Sequence, residues 1–525
     1  MSNPKDLILP IFLLFITMVI AIYFRPLMII DETRYISVAW EMYNSGNYLV
    51  PQLNGMPYDH KPPLLFWLIV TIWHTFGVSE NLVRFIPFIF ASGVVVLGYK
   101  IYKLLWSKDT YGASIFPYIG VGVVIFSFYS TLLMFDIMLS FWVALSIYAG
   151  IKAILDDKLS SYALLAFAIG FGILAKSPVV LVHLLPLYIF ASFWAPKRVK
   201  LSFYIKGFLA VLIGIAIALI WAIPAAKLGG DEFAYGIFWG QYAGRAVDAF
   251  AHKRAFWWYI PWVPVIMMPW ILHKGFWSGF SKLTSKIDSG LKAIIVWIAG
   301  DMLIFALISG KQIAYIAPEF LAFAILIARA LSQSRYTIFR PYLISAIFVL
   351  LGSAFLVAPW LIKGYIRVFL DTKAFIISGL LLLAYALYLV FKKSKTQKEQ
   401  IATIATGATL IIFALHFSIN LYLKSQDLTS FASKISKLQK NGITVAHYGK
   451  YHNQYHFTGR LLKPIKVIKN TKELNNYIKN NPNGAIITYK KQKVKFNKSS
   501  IIAQTKFRTQ NALLVKAKEW SNLLK

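Results

Sequence analysis

Carboxylates and cations stand at the ends of apolar runs in this chain, and their types suit chemistry on a phosphorylated substrate. Asp31-Glu32 opens a segment in which Tyr35, Val38, Ala39 and Met42 recur at helical spacing, and Asp136 sits in a very short turn between two apolar runs. Such carboxylates either cap a helix or serve as general bases and stabilisers of positive charge. His60-Lys61-Pro62-Pro63 puts a cation at the start of a helix, where free backbone N–H groups also attract anions. Arg245, His252, Lys253 and Arg254 precede Trp257-Trp258-Tyr259, and arginine offers a fork matched to phosphate oxygens. The turn Ser309-Gly310-Lys311, followed by Tyr315, adds a cation and a phenol. Taken singly, these groups also read as helix caps, snorkelling lysines and an aromatic belt. His60 and His252 are two imidazoles on separate loops, a poor metal signature. No metal or other cofactor is therefore expected, with a divalent ion near that pair the one exception considered.

The elements that position these groups are membrane helices. Of 525 residues, 58% are hydrophobic and 14% charged, against about a quarter charged in a soluble domain. The missing charge is replaced by runs long enough to span a bilayer, about 20 residues each. Thirteen spans are predicted, near 7–24, 84–105, 113–132, 137–154, 160–175, 178–195, 203–222, 257–272, 291–308, 316–331, 341–360, 374–391 and 401–422. Lys176-Ser177-Pro178 divides the fifth from the sixth. The apolar stretch 62–77 is read as an interfacial or re-entrant helix. Counting it as a span would turn the lysine-rich loops at Lys100, Lys197 and Lys392 outward, against the positive-inside rule.

In this topology Asp31, Glu32, Arg34, His60, Lys61, Asp136, Lys176, Arg245, His252, Arg254 and Lys311 all fall at the outer boundary. Intramembrane charges look sparse. Ionisable residues at the edge of a bilayer core are functional candidates. From about 424 onward the apolar runs shorten to strand length, at Thr444–Tyr448, Ile465–Ile468 and Ala485–Tyr489. The fold class is thus mainly α: a transmembrane domain over 1–423, with outer catalytic loops at 25–83 and 223–256, and a small extracytoplasmic α/β domain over 424–525. The net charge is +34, and the segment 424–525 carries 21 Lys and Arg against 3 Asp and Glu. Anionic lipid headgroups, or else an anionic acceptor such as lipopolysaccharide, account for that charge, and nucleic acid is not expected. The chain has no cysteine, which excludes disulfides and thiolate chemistry.

Asp31-Glu32-Thr33-Arg34-Tyr35, Trp40-Glu41-Met42, Gly46-Asn47-Tyr48, Leu53-Asn54-Gly55 and Tyr58-Asp59-His60-Lys61-Pro62-Pro63 resemble the opening of the aminoarabinose transferase (ArnT) family. That family is one of the protein-O-mannosyltransferase-like GT-C glycosyltransferases. Asp136-Ile137-Met138, Ala175-Lys176, the stretch from Arg245 to Trp258 and that from Lys311 to Pro318 are similar to its later landmarks, in the same order. The resemblance covers roughly 5–335. It implies a polyprenyl-phosphate sugar donor and inversion at the anomeric carbon. It also implies an acceptor such as lipid A or another envelope glycolipid, on the outer face of a bacterial cytoplasmic (inner) membrane. Asp31 would face the acceptor, with Glu32 and Asp136 as the other catalytic carboxylates. Lys61, Arg245, Arg254, Lys311 and Tyr315 would serve the donor phosphate, and Arg34, Tyr35, Tyr58, His60 and His252 the substrates. His60 stands where the family often has Glu, and Gln241 where an acid or His is common. Protein O-mannosylation is the alternative within the same fold. A lipid-linked substrate transporter or flippase is the alternative of another class, and the absence of internal repeats argues against it.

Overall fold

The computed structural model describes residues 5–240, 253–334, 338–363, 365–489 and 496–523. The principal helices of the apolar region are α1 (Lys5–Phe24), α2 (Asp31–Ser45), α3 (Leu64–Phe76), α4 (Ile86–Leu105), α5 (Thr110–Gly122), α6 (Phe135–Asp156) and α7 (Leu159–Lys176). They continue with α8 (Val179–Ile189), α9 (Leu201–Gly229), α10 (Ser289–Leu307), α11 (Glu319–Gln333), α12 (Tyr342–Leu361), α13 (Thr372–Phe391) and α14 (Gln397–Ser418). Among the described residues nine helices are long and apolar enough to cross a membrane: α1, α4 with its leading turn, α6, α7, α9, α10, α12, α13 and α14. The chain is a multi-pass membrane protein.

Nine such helices stand where thirteen spans are expected, and the other four segments are shorter or broken. The run 113–132 is interrupted at Val123, whose extended backbone separates α5 from the short helix Val124–Tyr129. In 178–195 the helix α8 has 11 residues, about 16 Å of rise against a core of about 30 Å. In 316–331 the helix α11 has 15 residues. The expected span 257–272 is replaced by two 3-10 turns, Phe256–Tyr259 and Trp270–Leu272, around a five-residue helix, Trp262–Ile266. Pro261, Pro264 and Pro269 remove the N–H donors that a continuous helix needs. The α7–α8 break falls at Ser177, which has φ 81°, next to Pro178. The 13-residue α3 is too short to span.

Between α1 and α3 runs the loop that carries most of the candidate residues. Gly46 ends α2 in the left-handed conformation (φ 68°), its N–H donating to Met42 O. Strands β1 (Gln52–Leu53) and β2 (Met56–Pro57) form a small hairpin turned by Asn54 and Gly55, both at positive φ. Glu41 of α2 accepts both turn N–H groups, at 2.5 and 2.8 Å, so the hairpin is fixed to the helix.

Residues beyond α14 build a five-stranded sheet from β3 (Val445–Tyr448), β4 (Lys466–Ile468), β5 (Ala485–Tyr489), β6 (Ile501–Phe507) and β7 (Gln510–Lys516), in the order β4-β3-β5-β7-β6. The first three strands are parallel, joined across β4 and β5 by the helix Thr471–Asn480; β7 and β6 add antiparallel. This unit is seated on α2 and its hairpin. Trp40 Nε1 donates to Leu461 O (2.8 Å), Ser37 Oγ to Asn453 O (2.9 Å), and Asn54 exchanges two hydrogen bonds with Ile465. Trp73 of α3 stacks on Phe457 at 5.1 Å.

The junction of α1 and α2 is closed by a buried ion pair. Arg25 follows α1 and bonds the Glu32 carboxylate with both terminal nitrogens. Glu32 also accepts from Met28 N–H and from Leu133 N–H, each at 2.7 Å, while Arg25 donates to Thr131 O at 3.0 Å. Removing one partner of such a pair strands a buried charge and costs about 3–5 kcal/mol. Glu32→Gln is therefore expected to lower the Tm of the detergent-purified protein markedly. An unchanged Tm by differential scanning fluorimetry contradicts this assignment.

Candidate active site at the rim of the helices

The site is assembled by the first residues of helices and the last residues of others. Asp31 is the first residue of α2, Phe135-Asp136 open α6, Lys176 closes α7, and Tyr315 lies in the turn before α11. Asp136 is 4% exposed and paired with the Lys176 ammonium. The same ammonium lies over the Tyr315 ring, 5.5 Å from its centroid. Lys61 Nζ stands over the Phe135 ring at 5.9 Å and donates to His60 O at 3.2 Å. Tyr35 meets Phe135 edge-on at 4.8 Å. Residues from α2, the loop before α3, α6, α7 and the turn before α11 thus form one connected cluster.

Asp31 is half-buried with Arg34 Nη2 3.6 Å from its carboxylate. Burial holds its carboxyl above the ordinary aspartate range, with Glu32 and Asp136 adding to the effect and Arg34 and Arg508 opposing it. Glu32, next in sequence, lies below the ordinary range. Its burial would raise it, but the Arg25 guanidinium and the hydrogen bonds it accepts outweigh that. Glu32 is expected to be a catalytic carboxylate; its surroundings give it another task. It is fully buried and its oxygens are engaged by Arg25, Met28 and Leu133, so it holds Asp31 in place rather than meeting substrate.

Arg34 lies over the Tyr35 ring at 5.2 Å, and burial pushes the Tyr35 hydroxyl up to about 12. Tyr58 is buried and stacks on the exposed His60 at 5.2 Å; His60 Nε2 is 3.7 Å from Asp59. Gly236 packs so closely on Asp59 that a Cβ there would lie 1.9 Å from Asp59 Oδ2. The chain at Gly236 therefore packs directly against Asp59, two residues before Lys61.

Lys311 departs from its expected part as a phosphate ligand. Only 3% exposed, its ammonium donates to the carbonyls of Ile308 and Arg254 and stitches two turns together, beside the bridge between Lys253 and Gly310. Two backbone carbonyls in those turns are thereby occupied, and Lys311 acts as a positioning residue. Arg254 is exposed. Arg245, His252 and Gln241 lie outside the described residues.

Two groups that no sequence pattern singled out come from the sheet domain. Arg508, in the β6–β7 turn, is close enough to bias Asp31. His452 is pushed down to about 4 by burial, and then by Lys450, Arg34 and Arg508. The C-terminal unit thus brings the Arg508 cation and a neutral His452 to the same rim. Lys176 was visible as a boundary cation, but its pairing with Asp136, 40 residues away, needed the fold.

The helical region with a sheet domain seated on its rim has the fold of the GT-C membrane glycosyltransferases. Over the whole chain it is similar to ArnT from Cupriavidus metallidurans bound to undecaprenyl phosphate, with a TM-score of 0.75, 14% identity and 97% of both chains covered. The apo form of that protein gives a TM-score of 0.72 with 96% of this chain and 97% of that one covered. In sequence the chain is similar to named arabinosyl transferases. It is 29% identical over 310 residues to the undecaprenyl phosphate-alpha-4-amino-4-deoxy-L-arabinose arabinosyl transferase of Serratia proteamaculans (strain 568), covering 57% of this chain and 54% of that one. The enzyme of the same name from Yersinia pestis (strain Pestoides F) is 28% identical over the same coverage. The chain spans about half the length of the curated relatives it matches. Residues 60–221 also match the family model described as dolichyl-phosphate-mannose-protein mannosyltransferase.

The two neighbouring carboxylates should respond oppositely to neutralisation. A raised acid contributes stability below its ordinary pKa of about 3.9, and that stability is lost as pH rises through the folded value. At pH 7 the ionised Asp31 is therefore a burden on the fold, and Asp31→Asn is expected to leave Tm unchanged or raised. The gain should vanish near pH 4 and below. A fall in Tm at pH 7 as large as that of Glu32→Gln would contradict the placement.

Proposed function

We propose that the chain is an inverting glycosyltransferase that moves a sugar from a polyprenyl-phosphate donor to lipid A or a related envelope glycolipid, on the outer face of a bacterial cytoplasmic membrane. The observation that carries this reading is the meeting of Asp31, Lys61, Asp136, Lys176 and Tyr315 at one rim, from five segments of chain. The names of the similar Serratia and Yersinia enzymes supply the donor and sugar classes. The bound undecaprenyl phosphate of the similarly folded Cupriavidus protein supports a lipid-phosphate donor. The positive-inside arrangement of the lysine-rich loops supports an outer location.

In this reaction the bond between the anomeric carbon and the phosphate oxygen breaks as an acceptor oxygen attacks from the opposite face. Negative charge gathers on the departing polyprenyl phosphate, and Lys61, at the entry to α3, is the cation assigned to stabilise it, with Arg245 the second cation that the resemblance implies. Asp31 stands towards the acceptor. A hydroxyl acceptor gives it a proton to take; a lipid phosphate, already ionised, leaves it to orient the acceptor and stabilise positive charge on the sugar. Asp136 is neutralised by Lys176 and shapes the floor, with Tyr315 beside it. Protein O-mannosylation remains the second reading, favoured by the family-model match over 60–221.

Asp31→Asn and Lys61→Ala are each expected to reduce transfer at least about 100-fold, the scale for loss of one preorganised electrostatic group. The assay is reconstituted transfer from undecaprenyl-phosphate aminoarabinose to lipid A, read by mass spectrometry. Near-normal product from both variants, in protein that is folded and inserted, refutes the site. Product on a peptide hydroxyl from a mannose donor, with none on lipid A, selects the second reading.

A further inference from the structure

Beneath the floor of the rim site lies a second polar cluster, inside segments that read as uninterrupted apolar runs. His183 of α8, Asp301 of α10 and Glu319 of α11 come together from three helices, and each is fully buried. All three sit near the same ends of their helices as the rim. His183 is four residues into α8, Glu319 is the first residue of α11, and Asp301 is six residues before the end of α10. Glu319 follows Tyr315 by four residues in the chain, so the cluster supports the turn that carries the phenol.

The geometry is that of a ligand set. His183 Nδ1 is 3.0 Å from Asp301 Oδ2 and 2.8 Å from Glu319 Oε1, and one ligand atom from each residue lies within 4.8 Å of the others. A ring nitrogen carries at most one hydrogen, and one hydrogen cannot serve two carboxylates fully. A lone pair on Nδ1 directed at an ion that both carboxylates also hold satisfies all three. Ligand atoms around an ion at about 2.1 Å stand about 3.0–3.5 Å apart, close to the observed spacing. Asp301 Oδ1 and Glu319 Oε2 have no hydrogen-bond partner among the described residues, which leaves second oxygens for coordination. Charge points the same way. Among the described residues, the ion pairs made to these carboxylates come from His183 alone. In the state that ligation requires, with the imidazole neutral and both carboxylates ionised, the cluster carries a charge that one divalent cation cancels, and uncompensated charge at such depth is strongly disfavoured.

We propose that His183, Asp301 and Glu319 bind one divalent cation, and that this ion clamps α8, α10 and α11 under the rim site. One imidazole nitrogen with two carboxylates suits Zn²⁺ or Mn²⁺. The role is structural: no substrate group is required at this depth, and the proposal stands independently of the reaction assigned above.

The test uses the full chain purified in detergent from cells grown with added zinc and manganese. Metal content by plasma mass spectrometry is expected to be about one ion per chain, as for a structural site. It should be lost in Asp301→Asn and Glu319→Gln and kept in His60→Ala. Stripping the wild type with a chelator should lower its Tm, and adding back Zn²⁺ or Mn²⁺ alone should restore it, a readout that needs no variant to fold. Metal below about a tenth of an equivalent with a Tm indifferent to both ions would overturn the proposal, leaving the cluster to be neutralised by protons. Metal lost in His60→Ala but retained in Asp301→Asn would also overturn it, placing the ion at the rim.

Discussion

The Glu32 carboxylate is the knot on which the site depends. It is held from three directions: by Arg25 at the end of α1, by Met28 N–H in the link to α2, and by Leu133 N–H just before α6. A carboxylate so enclosed has no freedom to turn, and the residues covalently next to its anchors have none either. Asp31 precedes Glu32 by one residue, and Asp136 follows Leu133 by three. The same bonds therefore set the distance between the first residues of two helices that are remote in sequence. This is the general logic of a preorganised site, in which the groups that meet substrate are kept in place by others that do not.

Stability and readiness for chemistry are divided between adjacent residues. Glu32 has its charge compensated within the fold, whereas burial holds Asp31 above the usual range with only partial relief from Arg34 and Arg508. A carboxylate left under-compensated at a rim is one that a substrate cation or a reacting sugar can complete. Asp136 and Lys176 neutralise each other beneath it, and Lys311 is absorbed by backbone carbonyls. Lys61 occupies the entrance to α3 beside them, two residues after Asp59, against which Gly236 packs. The sheet domain completes the surround with Arg508 and His452, so that the rim is walled by helix ends on one side and by a strand turn on the other.

Much of this architecture was legible because it is written in local pattern. Apolar runs give membrane helices; the Ser177-Pro178 break and the short α3 follow from composition and length; β3, β4 and β5 appear as short apolar runs between turn residues. The loop after α1 carried a resemblance because many of its side chains are specified at once. What escaped reading depended on long-range partners. Asp31 and Glu32 look alike in sequence, and it is the folded partners Arg25, Met28 and Leu133, the last 101 residues away, that tell them apart. Lys311 looked like a free cation until the carbonyl of Arg254 was brought to it. His183, Asp301 and Glu319 each sit alone in an apolar run, and the signal that was available, an ionisable group at membrane depth, gains meaning only when the three converge. The span over 257–272 failed for a local reason that was present in the sequence, three prolines in nine residues, outweighed there by hydropathy.

The central claim is that a lipid phosphate is held at this rim by Lys61 and not by Lys311. The most direct measurement is the affinity of the detergent-solubilised protein for undecaprenyl phosphate, compared between wild type, Lys61→Ala and Lys311→Ala. Loss of one charge-assisted hydrogen bond is about 1.5–3 kcal/mol, so Kd is expected to rise roughly 10- to 100-fold in Lys61→Ala. For Lys311→Ala, in protein that remains folded, a smaller change is expected. An unchanged Kd in Lys61→Ala, or an equal loss in both variants, would contradict the account.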